Sequence, residues 1–303
     1  MDYFSPTLYV TDLLVLFLML LEIPKIKLGK LGRLGILGIF AGINIYFSLS
    51  PAVSIYKWLK VFEFGFLVWW ISHFKFQISN FKFLLIPIFY ESVLAIWQYF
   101  NQGSIGGLWY WLGERAFNAA TPGIAHGRPY GTFPHPNVLA GFLIVSGPLV
   151  LKYFPRIYRI ITVAIIGLVF FLTLSRGNLI DGWHLRQQLN NIAIQQFNNS
   201  PLIGTGLGTS PLYQTLNHEF RIMNYALRFQ PPHNIYVLVL SETGIIGLLG
   251  FCFLIYKTIK RSSLIHNSLF IILVLGFFDH YFLTLQQGQL LFALALGLLT
   301  SHY

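Results

Sequence analysis

The stretch PPHN at 231–234 places an imidazole directly ahead of an apolar run whose single carboxylate is Glu242. A neutral histidine in such a place is a ready general base, able to take the proton of an attacking hydroxyl. Pro231 and Pro232 favour a helix start, because proline is tolerated in a helix's first turn. Free backbone N–H groups and the positive end of the helix dipole gather at such a start, and both suit a phosphate or a developing anion. His233 is therefore the candidate catalytic base, with Asn234 beside it as a candidate substrate contact. The plainer reading is an interfacial histidine that caps the helix. Glu242 follows nine residues later, about 13 Å further along a helix and on its opposite face. It is read as a structural hydrogen-bonding group, as are Glu63, Glu91 and the Asp279–His280 pair.

Arginine supplies the second chemical signal. The segments 101–134 and 175–232 contain no lysine but six arginines: Arg115, Arg128, Arg176, Arg186, Arg221 and Arg228. The planar guanidinium fork matches phosphate and carboxylate better than the point charge of lysine does, so these segments look built for an anion. Arg176, which ends an apolar run in TLSRG, has the plainer reading of an arginine snorkelling to lipid headgroups. For Arg186 the plainer reading is a solvated helix charge. Arg128, Arg221 and Arg228 are candidate substrate contacts.

Other chemistries are excluded. GTGLG at 204–208 follows no strand, and neither GK[ST] nor GxGxxG completes it, so nucleotide binding is rejected. The lone cysteine, Cys252, permits neither an intramolecular disulfide nor a multi-cysteine metal site. Five histidines (126, 135, 184, 218 and 233) fall in or beside these segments. None has another ligand type at i+3 or i+4, so no metal or other cofactor is expected. Glycines and prolines in GRPYGTFPHPNVLAG, 127–141, predict a rigid loop in which His135 is a structural clamp.

The elements that must position these residues are set by composition. The 303 residues are 55% hydrophobic and only 10% charged, against about 25% charged in soluble domains. A polytopic membrane protein follows, all-α, and its net charge of +10 first serves topology, not nucleic acid. Nine stretches approach the roughly 20 apolar residues of a span: 7–23, 34–50, 55–73, 81–100, 135–153, 157–174, 233–256, 265–284 and 287–300. The third carries Lys57, Lys60 and Glu63, and the last is short. No basic region or cleavage pattern precedes the first, which reads as an uncleaved helix.

Twelve of the twenty basic residues lie in the loops after spans one, three, five and seven. Basic loops stay in the cytoplasm, so the N-terminus, 101–134 and 175–232 lie outside. The chain reads as a single membrane domain, 1–303, with 175–232 as one long external loop. Within that loop Leu185, Leu189, Ile192, Ile194 and Phe197 are spaced approximately as an amphipathic helix over 185–197, followed by a turn at PLIGTGLG.

Four blocks, in order, resemble the O-antigen ligase and O-antigen polymerase superfamily of bacterial membrane glycosyltransferases. They are GTFPHPNVLAGFL (131–143), TLSRG (173–177), LRQQLNNIAIQQFNNSPLIGTGLG (185–208) and PPHNIYVLVLSETGIIG (231–247). The closing FFDHYFLTLQQGQLLFALALGLL also looks familial. The resemblance covers roughly residues 85–300. It implies a multi-pass protein of the bacterial inner membrane, with a metal-independent active face outside. Such an enzyme moves a glycan from an undecaprenyl-diphosphate carrier to a hydroxyl of lipid A core, another glycan or a protein, with inversion at the anomeric carbon. On this resemblance His233 is the base or aligns the acceptor, and Arg176 and Arg186 hold the diphosphate. Family members carry more spans and a longer segment between the two arginines than the nine residues found here. The motifs do not separate ligase from polymerase. A transporter and a non-catalytic assembly subunit are the other classes. A transporter would carry ionisable groups near the bilayer midplane, whereas these arginines gather outside.

Overall fold

Apolar runs separated by glycine, proline and charge give an all-helical chain. The computed structural model describes residues 7–22, 31–73, 83–118, 127–151, 155–174, 179–216, 230–261 and 266–300. Among these, the helices are α1 (Val10–Glu22), α2 (Leu31–Tyr46), α3 (Pro51–His73), α4 (Leu85–Asn101), α5 (Leu108–Trp111), α6 (Pro136–Leu151), α7 (Arg156–Leu174), α8 (Leu179–Asn199), α9 (Ser210–Leu216), α10 (Ile235–Arg261), α11 (His266–Leu275), α12 (Tyr281–Thr284) and α13 (Gln286–Thr300). The only extended pairing among them is an isolated bridge between Gly103 and Asn118.

Nine crossings were expected. By length and composition, one described helix is long and apolar enough to cross a membrane, Ile235–Lys260, with 26 residues. Gly35–Tyr46, Pro136–Leu149 and Arg159–Leu172 are apolar but shorter. The stretch 265–284 is not one helix: α11 stops at Leu275, a turn occupies 276–280, and α12 follows.

Tertiary contacts gather the chain into two compact units. The first comprises Met1–His73, Trp183–Arg261 and Gly276–His280. In it α3 packs on α1 and α2. Two of the charges in the third apolar stretch, Lys60 and Glu63, find partners here: buried Lys60 pairs with Asp12 of α1 and, at 3.3 Å, with Glu63. Pairing of this kind is what an apolar surrounding demands of ionised groups.

A break in α10 organises the rest of this unit. Gly244 stands at φ 66°, ψ −170°, a conformation essentially reserved for glycine. The helical hydrogen bonds lost there are replaced by residues 201–206. Ile245 and Ile246 N–H donate to the carbonyls of Pro201 and Leu202, at 2.9 and 3.3 Å. Thr205 and Gly206 N–H in turn donate to the carbonyls of Ser241 and Glu242, at 3.2 and 3.0 Å. The Glu242 carboxylate accepts from Gly208 N–H at 2.8 Å and Ser210 N–H at 3.1 Å. The fully buried Asn44 amide completes the knot. It donates to the carbonyls of Ile203 and Glu242 and accepts from Trp58 Nε1 and Leu207 N–H. The turn expected at PLIGTGLG thus fills the break in α10, and Glu242 is the structural group it was read to be.

The second unit comprises Phe74–Gly182, Ser262–Leu275 and Tyr281–Tyr303. Its centre is α6, which packs on α4, α7, α11 and α13 and buries Val138, Leu139, Ala140, Leu143, Val145 and Leu149. Glu91 and Gln98 stand two turns apart on one face of α4 and hold the loops above it. Glu91 accepts from the N–H and hydroxyl of Thr132. Gln98 accepts from Tyr130 and Gly131 N–H and donates to Glu114, whose other bonds come from Ile105 and Gly106 N–H. His135 caps α6, its Nδ1 accepting Asn137 N–H at 3.1 Å.

Candidate functional site

His233 is brought by the main chain to the N-terminal end of α10, just before the helix begins. Asn234 is the N-cap. Its Oδ1 accepts from Tyr236 N–H at 2.9 Å and Val237 N–H at 3.1 Å, which are two of the donors a helix start leaves open. The prolines therefore lie upstream of the cap, not in the first turn, because asparagine takes the capping position more effectively. The side-chain oxygen of Asn234, a candidate substrate contact, is engaged in this cap.

The turn 276–280 is clamped to the same helix start. Ile235 N–H donates to the Gly276 carbonyl at 2.8 Å, and the rings of Tyr236 and Phe277 lie 4.4 Å apart. This clamp carries Asp279 and His280 to the imidazole. His233 Nδ1 is 3.3 Å from Asp279 Oδ1. The contact sets a carboxylate beside the ring, although in this structure the ring is not aligned to hydrogen-bond it. Misaligned catalytic hydrogen bonds are common before substrate binds. His280 N–H donates to the same Asp279 oxygen at 2.8 Å, and the His280 ring lies 4.8 Å from that of His233.

On the other side of the imidazole, Nε2 is 3.3 Å from Gln230 Oε1. The Gln230 carbonyl accepts from Gln214 Nε2 of α9 at 2.7 Å. A polar chain thus runs from Gln214 through Gln230 and His233 to Asp279. The side chains of His233 and Asp279 retain 18% and 12% exposure, enough to meet a ligand while largely shielded from water.

Arg186 is half-buried on α8, one turn before Leu189 and two before Ala193, which are both fully buried. It therefore extends the inward stripe of that helix. The amphipathic reading of 185–197 needs one correction: Ile194 is on the exposed side, and Gln196 takes the buried position, where its Nε2 donates to Thr205 Oγ1. Asn190, one turn after Arg186, holds a buried Oδ1 with no hydrogen-bond partner among the described residues.

The other arginines are placed differently. Arg128 belongs to the second unit, half-buried in the loop before α6. Arg176, Arg221 and Arg228 lie outside the described residues.

Comparison with protein-family models, curated proteins and solved structures finds no match. The site is left to its own chemistry: a base candidate between an amide and a carboxylate, at a capped helix start. The sequence pointed to His233 but not to its partners. Asp279 and His280 carry no local spacing signal, since the turn that delivers them is made by tertiary contact. Gln230 and Gln214 are polar residues of ordinary type in a polar segment. The absence of a metal site was inferred from neighbouring histidines in sequence, and the fold assembles a His–Asp–His group that such spacing cannot register.

Proposed function

We propose that the chain is a multi-pass glycosyltransferase of the bacterial inner membrane, of O-antigen ligase type, acting on its outer face. The observation that carries this reading is the placement of His233 between Gln230 and Asp279 at the capped start of α10. Nine crossings are supported by the fall of every apolar stretch on a helix or helix pair and by the basic loops. The outward side chains of Phe17, Leu20, Ile86, Phe89, Phe171, Leu249, Phe253 and Phe270, all at least half exposed, suit lipid and would be costly in water.

In the reaction, Asp279 holds the imidazole with a proton on Nδ1, leaving the Nε2 lone pair for the acceptor hydroxyl, which displaces Gln230. The hydroxyl proton passes to Nε2 as its oxygen bonds the anomeric carbon from the face opposite the diphosphate. The carbon–oxygen bond to phosphate breaks, and its electron pair leaves on the undecaprenyl diphosphate. The guanidinium forks of Arg176 and Arg186 take up the leaving charge, as preorganised donors do most effectively. The imidazolium formed is stabilised by the Asp279 carboxylate. No cofactor enters this scheme. Lipid A core, another glycan or a protein supplies the hydroxyl, and an elongating glycan as acceptor would make the same chemistry a polymerase.

The test is transfer by the purified chain from an undecaprenyl-diphosphate glycan, with His233→Ala, Arg176→Ala and Arg186→Ala alongside. Transfer by the wild type and loss in all three variants is expected. Undiminished transfer by His233→Ala and Arg176→Ala would sink the assignment.

A further inference from the structure

We propose that His233, Asp279 and His280 form a zinc site at the head of α10, and that a zinc ion bound there switches the base off. Each residue offers one ligand atom, a ring nitrogen or a carboxylate oxygen, and the three atoms all lie within 4.8 Å of one another. Ligands on a tetrahedral zinc with bonds near 2.1 Å are about 3.4 Å apart. The widest pair must therefore close by at most about 1.4 Å, within reach of small side-chain rotations. Two imidazoles and a carboxylate form the mixed nitrogen and oxygen set that zinc accepts, while magnesium and calcium favour all-oxygen shells. The fourth position is left to water, as in open zinc sites.

The geometry is held in advance. Asp279 and His280 share one turn, the His280 N–H fixes the carboxylate, and the Ile235–Gly276 bond fixes the turn against the helix start that bears His233. Second-shell bonds of this kind orient metal ligands. The site lies on the face read as external, where a divalent ion arrives without crossing the membrane.

Switching follows from the ligand requirement. Zinc takes the neutral imidazole through a nitrogen lone pair and fixes the ring, so His233 can no longer align on the acceptor hydroxyl and take its proton. This half of the proposal rests on the glycosyltransferase reading, and the binding half does not.

The experiment uses the full chain in detergent, free of any histidine tag and stripped with a chelator. Calorimetric titration with zinc chloride is expected to show one ion per chain, with binding at least tenfold weaker in His280→Ala and His280→Gln. Cobalt, added to the wild type alone, is expected to give the strong visible absorption of a four-coordinate ion. In the transfer reaction zinc stops the wild type and a chelator restores it, while the transfer that His280→Gln retains without zinc resists its addition. Zinc binding unchanged by both His280 substitutions, or a weak six-coordinate cobalt spectrum, overturns the site. Zinc binding in a chain that transfers no glycan overturns the switch and the glycosyltransferase reading but keeps the site. Transfer without zinc binding does the reverse.

Discussion

Asp279 Oδ1 lies 3.3 Å from His233 Nδ1, and the two are joined through a turn that no apolar periodicity announces. The Asp279→Asn variant keeps the shape of this pair but loses the charge that, in the proposed reaction, stabilises the imidazolium. Transfer is expected to fall about tenfold to a hundredfold in kcat with the acceptor KM unchanged, less than the roughly 10²–10⁴ that a general base contributes, because the base itself remains. Asp279→Glu should recover part of it. Steady-state kinetics with a soluble acceptor separates the two parameters. A rise in KM alone would reassign Asp279 to acceptor binding.

Asn234 caps α10 through Oδ1, so its chemistry is shared by aspartate and serine. Asn234→Asp and Asn234→Ser should keep both stability and transfer, whereas Asn234→Ala should cost about 1 kcal/mol and lower transfer by loosening His233. Chemical denaturation in detergent and a transfer assay give the two readouts. Loss of transfer in all three at unchanged stability would mean that the amide touches substrate instead.

Glu242 satisfies two buried N–H groups. Glu242→Ala strands both donors and should cost roughly 3 kcal/mol. Glu242→Gln keeps one carbonyl oxygen and should recover about half of that loss. Equilibrium unfolding of the two variants checks the order, and equal stability in both would show that the carboxylate is not what holds residues 208–210.

Gly244 combines a positive φ with a close approach of its α-carbon to the Leu202 carbonyl, into which an added methyl group would run. Gly244→Ala should lose at least about 3 kcal/mol, from backbone strain and overlap together. Gly250, six residues on in the same helix, has open space around it. Gly250→Ala should be neutral or stabilising by up to about 1 kcal/mol. Similar melting of the two variants would place the break elsewhere.

Much of this was legible in the residues, for identifiable reasons. Helix positions follow apolar runs, so the expected 55–73 and 157–174 meet Pro51–His73 and Arg156–Leu174. The isolation of Glu242 in an apolar helix argued for a structural partner, and Gly208 and Ser210 supply it. The break at 276–280 was hidden because apolarity continues through Phe277 and Phe278 while the backbone turns. Ile194 misled because an approximate helical spacing admitted it to the inward face, whereas the exact period gave that place to Gln196. Asp279 and His280 stayed hidden as partners of His233 for the same reason as the knot around Asn44: both are made by segments distant in sequence, and spacing reports only what one helix can bring together.

The filling of the α10 break by residues 201–206 also bears on how the chain is made. Neither half of that helix can satisfy its main chain at Gly244 without a segment that lies earlier in the sequence. Translation runs in the helpful direction, so the partner has already left the ribosome when α10 emerges. A circular permutant opened between α9 and α10 would deliver the helix first, with two bare carbonyls and two bare amides in an apolar surrounding until its partner arrived. Order of synthesis is thus part of what this glycine requires.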